Sequence, residues 1–196
     1  MSRKPPRIRL IILLAIASSA MASRYGKGSK PEYTNAPGET SCRVVDCHAQ
    51  YELNSGDGTI SLHGVPPVYQ PGRRYLLTVS LAKPGQKRWG FQLTALTDKH
   101  QPAGEISLVD ENLTQLLTVT RPDSSRRQYI EHTAEGSYMG AKDGPVSWKL
   151  AWTAPERQVG DVIFYTAGNA ANFNKKPWGD YIYTRVDTTR GVLPPD

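Results

Sequence analysis

An all-β fold, an antiparallel β-sandwich, is what this 196-residue sequence predicts, and three observations carry the prediction. Short runs of β-branched, aromatic and aliphatic residues recur along the chain, bounded by Gly, Pro and Asn turns. Several runs alternate apolar and polar residues with the period of two that a half-buried strand requires. No stretch carries an apolar stripe at helical spacing, and only a short helix near the two cysteines stays open. The 38% hydrophobic and 21% charged residues belong to one ordinary globular domain, neither disordered nor fibrous.

The strands follow in order. Tyr75 to Leu81 is entered from the turn Gln70-Pro71-Gly72 and broken by Lys83-Pro84-Gly85. Trp89 to Leu96 places Trp89, Phe91, Leu93 and Ala95 on one face, with Gln92 and Thr94 on the other. Ile106 to Val109 and Leu116 to Val119 come next. Val146 to Trp152 is the cleanest run: Val146, Trp148, Leu150 and Trp152 point one way, Ser147 and Lys149 the other. Val162 to Thr166 is a core strand and Tyr181 to Val186 an additional one. The small, Asn-containing stretch Gly168 to Asn174 reads as a turn.

The N-terminus reads as export machinery. Residues 1–22 form a signal segment, with Arg3, Lys4, Arg7 and Arg9 ahead of an apolar stretch, Leu10 to Ile16, and a small-x-small site at Ala20-Met21-Ala22. The alternative is an uncut anchor. Cleavage would remove four basic residues and no acidic one, taking the net charge from +6 to +2. So balanced a chain, with no basic cluster interleaved with aromatics, is a poor nucleic-acid binder. No apolar run reaches the roughly 18 residues of a membrane span, so none is expected after cleavage. Residues 23–49 form an irregular Gly- and Pro-rich arm, and residues 50–190 the sandwich.

One constellation carries chemistry, Cys42-x-x-x-x-Cys47-His48. Covalent haem c attachment uses C-x-x-C-H, in which two thiols bond the porphyrin and the adjacent imidazole binds iron. Here the spacer has four residues rather than two. The competing reading is a small-loop disulfide between Cys42 and Cys47, in keeping with export. Its short loop would restrict the unfolded chain little. No Ser/His/Asp order, paired-carboxylate motif or phosphate-cradling glycine loop stands out, which argues against an enzyme.

A series of blocks resembles the bacterial relatives of the Reeler (reelin N-terminal) domain, the choice-of-anchor V proteins. The blocks are Ala36-Pro37-Gly38-Glu39, Tyr69-Gln70-Pro71-Gly72, Gly90-Phe91-Gln92-Leu93, Tyr129-Ile130-Glu131-His132-Thr133, Trp152-Thr153-Ala154-Pro155, Ala167 to Asn172 and Gly179 to Thr184. They cover most of residues 36–184. The resemblance implies an immunoglobulin-like sandwich, and a C-x-x-C-H motif where Cys42 to His48 stand. The expectation is thus an exported, periplasmic or secreted monohaem c-type cytochrome. Cys42 and Cys47 hold the haem, His48 binds iron, and His132 is the second axial ligand, with Met139 as its alternative. His63 and His100 read as solvent-facing loop residues. Its partners would be redox proteins, among them a membrane-associated respiratory complex. The competing expectation is a non-redox extracellular interaction or adhesion module with a Cys42–Cys47 disulfide.

Overall fold

The computed structural model describes residues 27–43, 48–176 and 178–191. The signal segment and Cys47 lie outside the described residues. Among the described residues there are nine strands: β1 (Thr59–His63), β2 (Arg74–Ala82), β3 (Arg88–Thr97), β4 (Glu105–Leu108), β5 (Thr114–Thr120), β6 (Arg126–His132), β7 (Val146–Thr153), β8 (Val162–Ala171) and β9 (Tyr181–Thr189). They make two antiparallel sheets, ordered β1-β2-β7-β4 and β5-β6-β3-β8-β9. Among the described residues helical structure is limited to a 3-10 turn, Glu135–Ser137.

Alternation builds the core as the sequence predicts. Leu77, Val79 and Leu81 of β2 join Trp148, Leu150 and Trp152 of β7 on the inner face of the smaller sheet, all buried. Trp89, Phe91 and Leu93 of β3 answer them from the larger sheet, with Ile130 of β6 and Phe164 of β8. Aromatic rings lock the two layers. Phe91 stacks on Trp148 at 4.6 Å, and Phe164 meets Trp152 edge-on at 5.0 Å. Both indole N–H groups find carbonyl acceptors, Trp148 at Gly136 and Trp152 at Ala103, so their burial leaves no polar group stranded.

Four elements depart from expectation. β8 continues through Gly168 to Ala171, where small residues suggested a turn. The small side chains answer packing: a Cβ on Gly168 would lie 2.8 Å from Ile60 Cδ1 and 3.1 Å from Leu81 Cδ2. β1 is an unexpected five-residue edge strand, and β6, rich in Arg, Gln and Glu, is an unexpected strand of the larger sheet. The arm is the fourth. Its described part, residues 27–43, lies across the outer face of the larger sheet and buries Thr34, Ala36 and Ser41. The sheet residues beneath it are buried too, Gln92 and Thr94 completely. β3 is therefore enclosed on both faces.

Candidate functional site

The outer face of the larger sheet carries a network of buried polar side chains beneath the arm, and two carboxylates organise it. Glu131 rises from β6 toward the arm. It accepts from Ser29 N–H at 3.0 Å, Ser29 Oγ–H at 2.9 Å, Gln92 Nε2 at 3.0 Å and Gln115 Nε2 at 2.9 Å. Burial pushes its carboxyl above the ordinary glutamate range, while the bonds from Gln92, Ser29 and Gln115 pull it back. Glu39 points the other way, from the arm into the sheet. Its Oε1 takes Arg127 Nη1 at 2.6 Å and the Tyr129 hydroxyl at 2.5 Å, and its Oε2 takes Thr34 Oγ1 at 2.6 Å. Burial, then the bond to Glu39, holds the Tyr129 phenol far above its usual value. Arm and sheet are joined by buried, charge-assisted hydrogen bonds.

His48 belongs to the same seam. Asn169 of β8 donates through Nδ2 to His48 Nε2 at 3.1 Å, which puts the ring proton on Nδ1. That nitrogen lies 2.8 Å from the buried Asp180 Oδ2, an ion-pair distance at an angle short of a hydrogen bond. Asp180 Oδ1 meanwhile accepts Asn172 N–H at 3.1 Å, which fixes the β8–β9 connection. Nearby, Tyr51 stacks on Tyr181 at 4.2 Å. Both ring nitrogens of His48 thus face side chains of the larger sheet and its loop.

The remaining predicted residues fall in three different settings. Cys42 is half-buried in the arm, with Sγ 4.0 Å from the Tyr33 carbonyl. His132 packs over Gly90, where a Cβ would come within 2.6 Å of its Cε1. Its Nδ1 accepts Phe91 N–H at 3.2 Å, and burial lowers its pKa to about 4. It is a neutral ring built into the sheet. Met139 lies in the loop after the 3-10 turn and is 64% exposed. His63 is exposed, as expected, and bonds Ser61.

Glu39, Glu131, Asn169 and Asp180 were not identified as site residues from the sequence. Their signal was present in the resembling blocks around positions 39, 131, 169 and 180. A glutamate between Ile130 and His132 in a strand signals a buried polar partner once β6 is recognised.

Comparison with known proteins narrows the reading. No family model matches the chain. Spondin-1 of Gallus gallus is 27% identical over 169 residues, which span 80% of this chain and 19% of that protein. The Reelin-N domain of F-spondin superposes with a TM-score of 0.46 at 22% identity, over 74% of this chain and 94% of that domain. The human F-spondin reeler domain gives 0.43 at 22%, over 71% and 94%. These findings overturn the cytochrome expectation and with it the haem, iron and electron-transfer roles. The sequence likeness runs to Spondin-1, and among the described residues no three His, Cys, Asp or Glu side chains gather to hold a metal ion. The chain is a β-sandwich similar to the Reeler domains of spondins.

Proposed function

We propose that this chain is an exported, non-catalytic interaction module in which Cys42 and Cys47 close a small-loop disulfide. The observation that carries the reading is the use made of His48. Its imidazole is engaged by Asn169 and Asp180, where it pins the arm to the sheet. The likeness to Spondin-1 over most of the chain supports the same reading, although the chain spans only 19% of that protein. A rigid sandwich with its polar residues spent on internal bonds suits display of a surface better than turnover. The cysteine spacing and the basic, apolar N-terminal segment support export, where a disulfide persists.

The test is the intact mass and colour of the protein, expressed with its N-terminal segment in cells that carry haem-maturation machinery. The expected product is colourless, lacks residues 1–22 and resists thiol alkylation until it is reduced. Coated on a surface, it retains cells above an albumin control. A red protein whose absorbance survives acid-acetone extraction, or one whose thiols alkylate without reduction, overturns the proposal.

A further inference from the structure

At the end of the sandwich where β3 begins and β8 ends, large apolar side chains stand in water. Trp178 is 56% exposed, Phe173 37% and Met139 64%. They share one neighbourhood. Lys87 N–H bonds the Ala171 carbonyl and the Lys87 carbonyl accepts Gly140 N–H, both at 2.8 Å. Arg88 lies 5.6 Å from the Phe173 ring.

The described residues of the loop that carries these rings are tied by hydrogen bonds. The side-chain amides of Asn172 and Asn174 both donate to the Trp178 carbonyl, at 3.2 and 2.8 Å. Asn172 Oδ1 accepts Asn174 N–H, Asn174 Oδ1 accepts Lys176 N–H, and Gln50 Oε1 accepts Gly179 N–H. Phe173 sits at φ +60°, a left-handed conformation that a bulky residue adopts only under constraint. The polar residues fix the backbone, yet the indole is left outside. An exposed aromatic on a pre-formed backbone loses little freedom on binding.

Charge indicates what covers it. Lys87, Lys142, Lys175 and Lys176 are all exposed around the rings, and Arg88 is half-buried beside Phe173. Of the acidic groups at this end, Asp180 is buried against His48 and Asp57 pairs with Lys83, leaving Asp143, whose Oδ1 accepts Gly85 N–H, and Glu135 exposed against five basic groups. This end thus presents exposed aromatic and thioether side chains together with exposed ammonium groups. Tryptophan and phenylalanine insert at the headgroup level of a bilayer, while lysines pair with anionic lipid.

We propose that this end of the sandwich docks on an anionic lipid surface, with Trp178, Phe173 and Met139 entering the interface and Lys175, Lys176, Lys87 and Lys142 contacting the headgroups. The inference rests on the interaction-module reading only in needing this end free. Its test uses purified protein and does not depend on thiol state, colour or export.

The chain carries its own reporter. Trp89, Trp148 and Trp152 are at most 2% exposed, so Trp178 alone of the four is open to an aqueous quencher. The protein is mixed with phosphatidylcholine vesicles with or without phosphatidylserine. It is expected to co-sediment with the anionic vesicles and to release in high salt. Bound Trp178 should shift to the blue, lose its acrylamide quenching and gain quenching by brominated lipid. Lys175→Gln with Lys176→Gln keeps the reporter and should weaken partitioning about five-fold per lysine. Trp178→Ala with Phe173→Ala should weaken it at least about ten-fold, with near-ultraviolet dichroism confirming an intact core. The proposal is overturned by failure to bind anionic vesicles, by binding that survives both double substitutions, or by a bound Trp178 still open to acrylamide. Binding to polyglutamate without binding to vesicles also overturns it, assigning the surface to an acidic polypeptide.

Discussion

His132 shows how a neighbour one position away can redefine a side chain. The residue before it, Glu131, faces the arm, while the His132 ring packs over Gly90 and accepts a backbone N–H from Phe91. Its folded pKa of about 4 lies below the ordinary 6.5 because burial penalises the imidazolium. Between those values the unfolded chain binds the proton and the folded chain does not, so stability falls as the pH drops through that window. The loss is bounded at about 3 kcal/mol. In urea titrations from pH 7 to pH 4, His132→Gln should flatten this slope, and a slope unchanged by the substitution would contradict the assignment. Glu131 acts in the opposite sense, since a folded carboxyl raised by burial gains relative stability as the pH falls. His48 supplies a second residue-scale expectation. Asp180→Asn keeps the shape but removes the charge facing Nδ1, and should lower stability by about 1 kcal/mol, read as a fall of a few degrees in the melting temperature.

At the scale of elements, residue size and polarity each conceal a strand. Gly168, Asn169 and Ala170 have the composition of a loop, yet they extend β8 because Ile60 and Leu81 of the opposite sheet occupy the space above Gly168. Gly168→Val forces those side chains apart and should cost about 2 kcal/mol, seen in chemical denaturation as a lower midpoint with an unchanged slope. β6 hides for a different reason. Arg127, Tyr129 and Glu131 alternate with Gln128, Ile130 and His132, and neither set looks apolar. A strand covered by a polar arm needs partners for its charges rather than a hydrophobic face. The strands with one apolar face, β2, β3 and β7, were legible because only their inner side was asked to be apolar.

For the whole molecule, the arm is the feature that sets the outline of the larger sheet. Glu39 enters the sheet with its side chain fully buried, beside Arg127 at 4% exposure. Glu39→Ala leaves a buried guanidinium without its counter-charge and should cost about 3–5 kcal/mol. Limited proteolysis should then cut within residues 27–43 before the sandwich, while near-ultraviolet dichroism of the core survives. Simultaneous loss of arm and core would show the arm to be part of one cooperative unit.

Period-two alternation, turn residues and the absence of helical stripes fixed the sandwich from the chain alone, since burying one face of a strand leaves a local mark on every second residue. The site left no such mark. His48, Asn169 and Asp180 are separated by 121 and 11 positions along the chain, as are Glu39 and Arg127 by 88, and only the folded sheets bring them into contact. The Cys42-to-His48 motif specified residue types suited to haem, but which atoms meet His48 was decided by the path of the arm. A side chain's chemistry is set by the partners and the water around it, and those are supplied by distant segments.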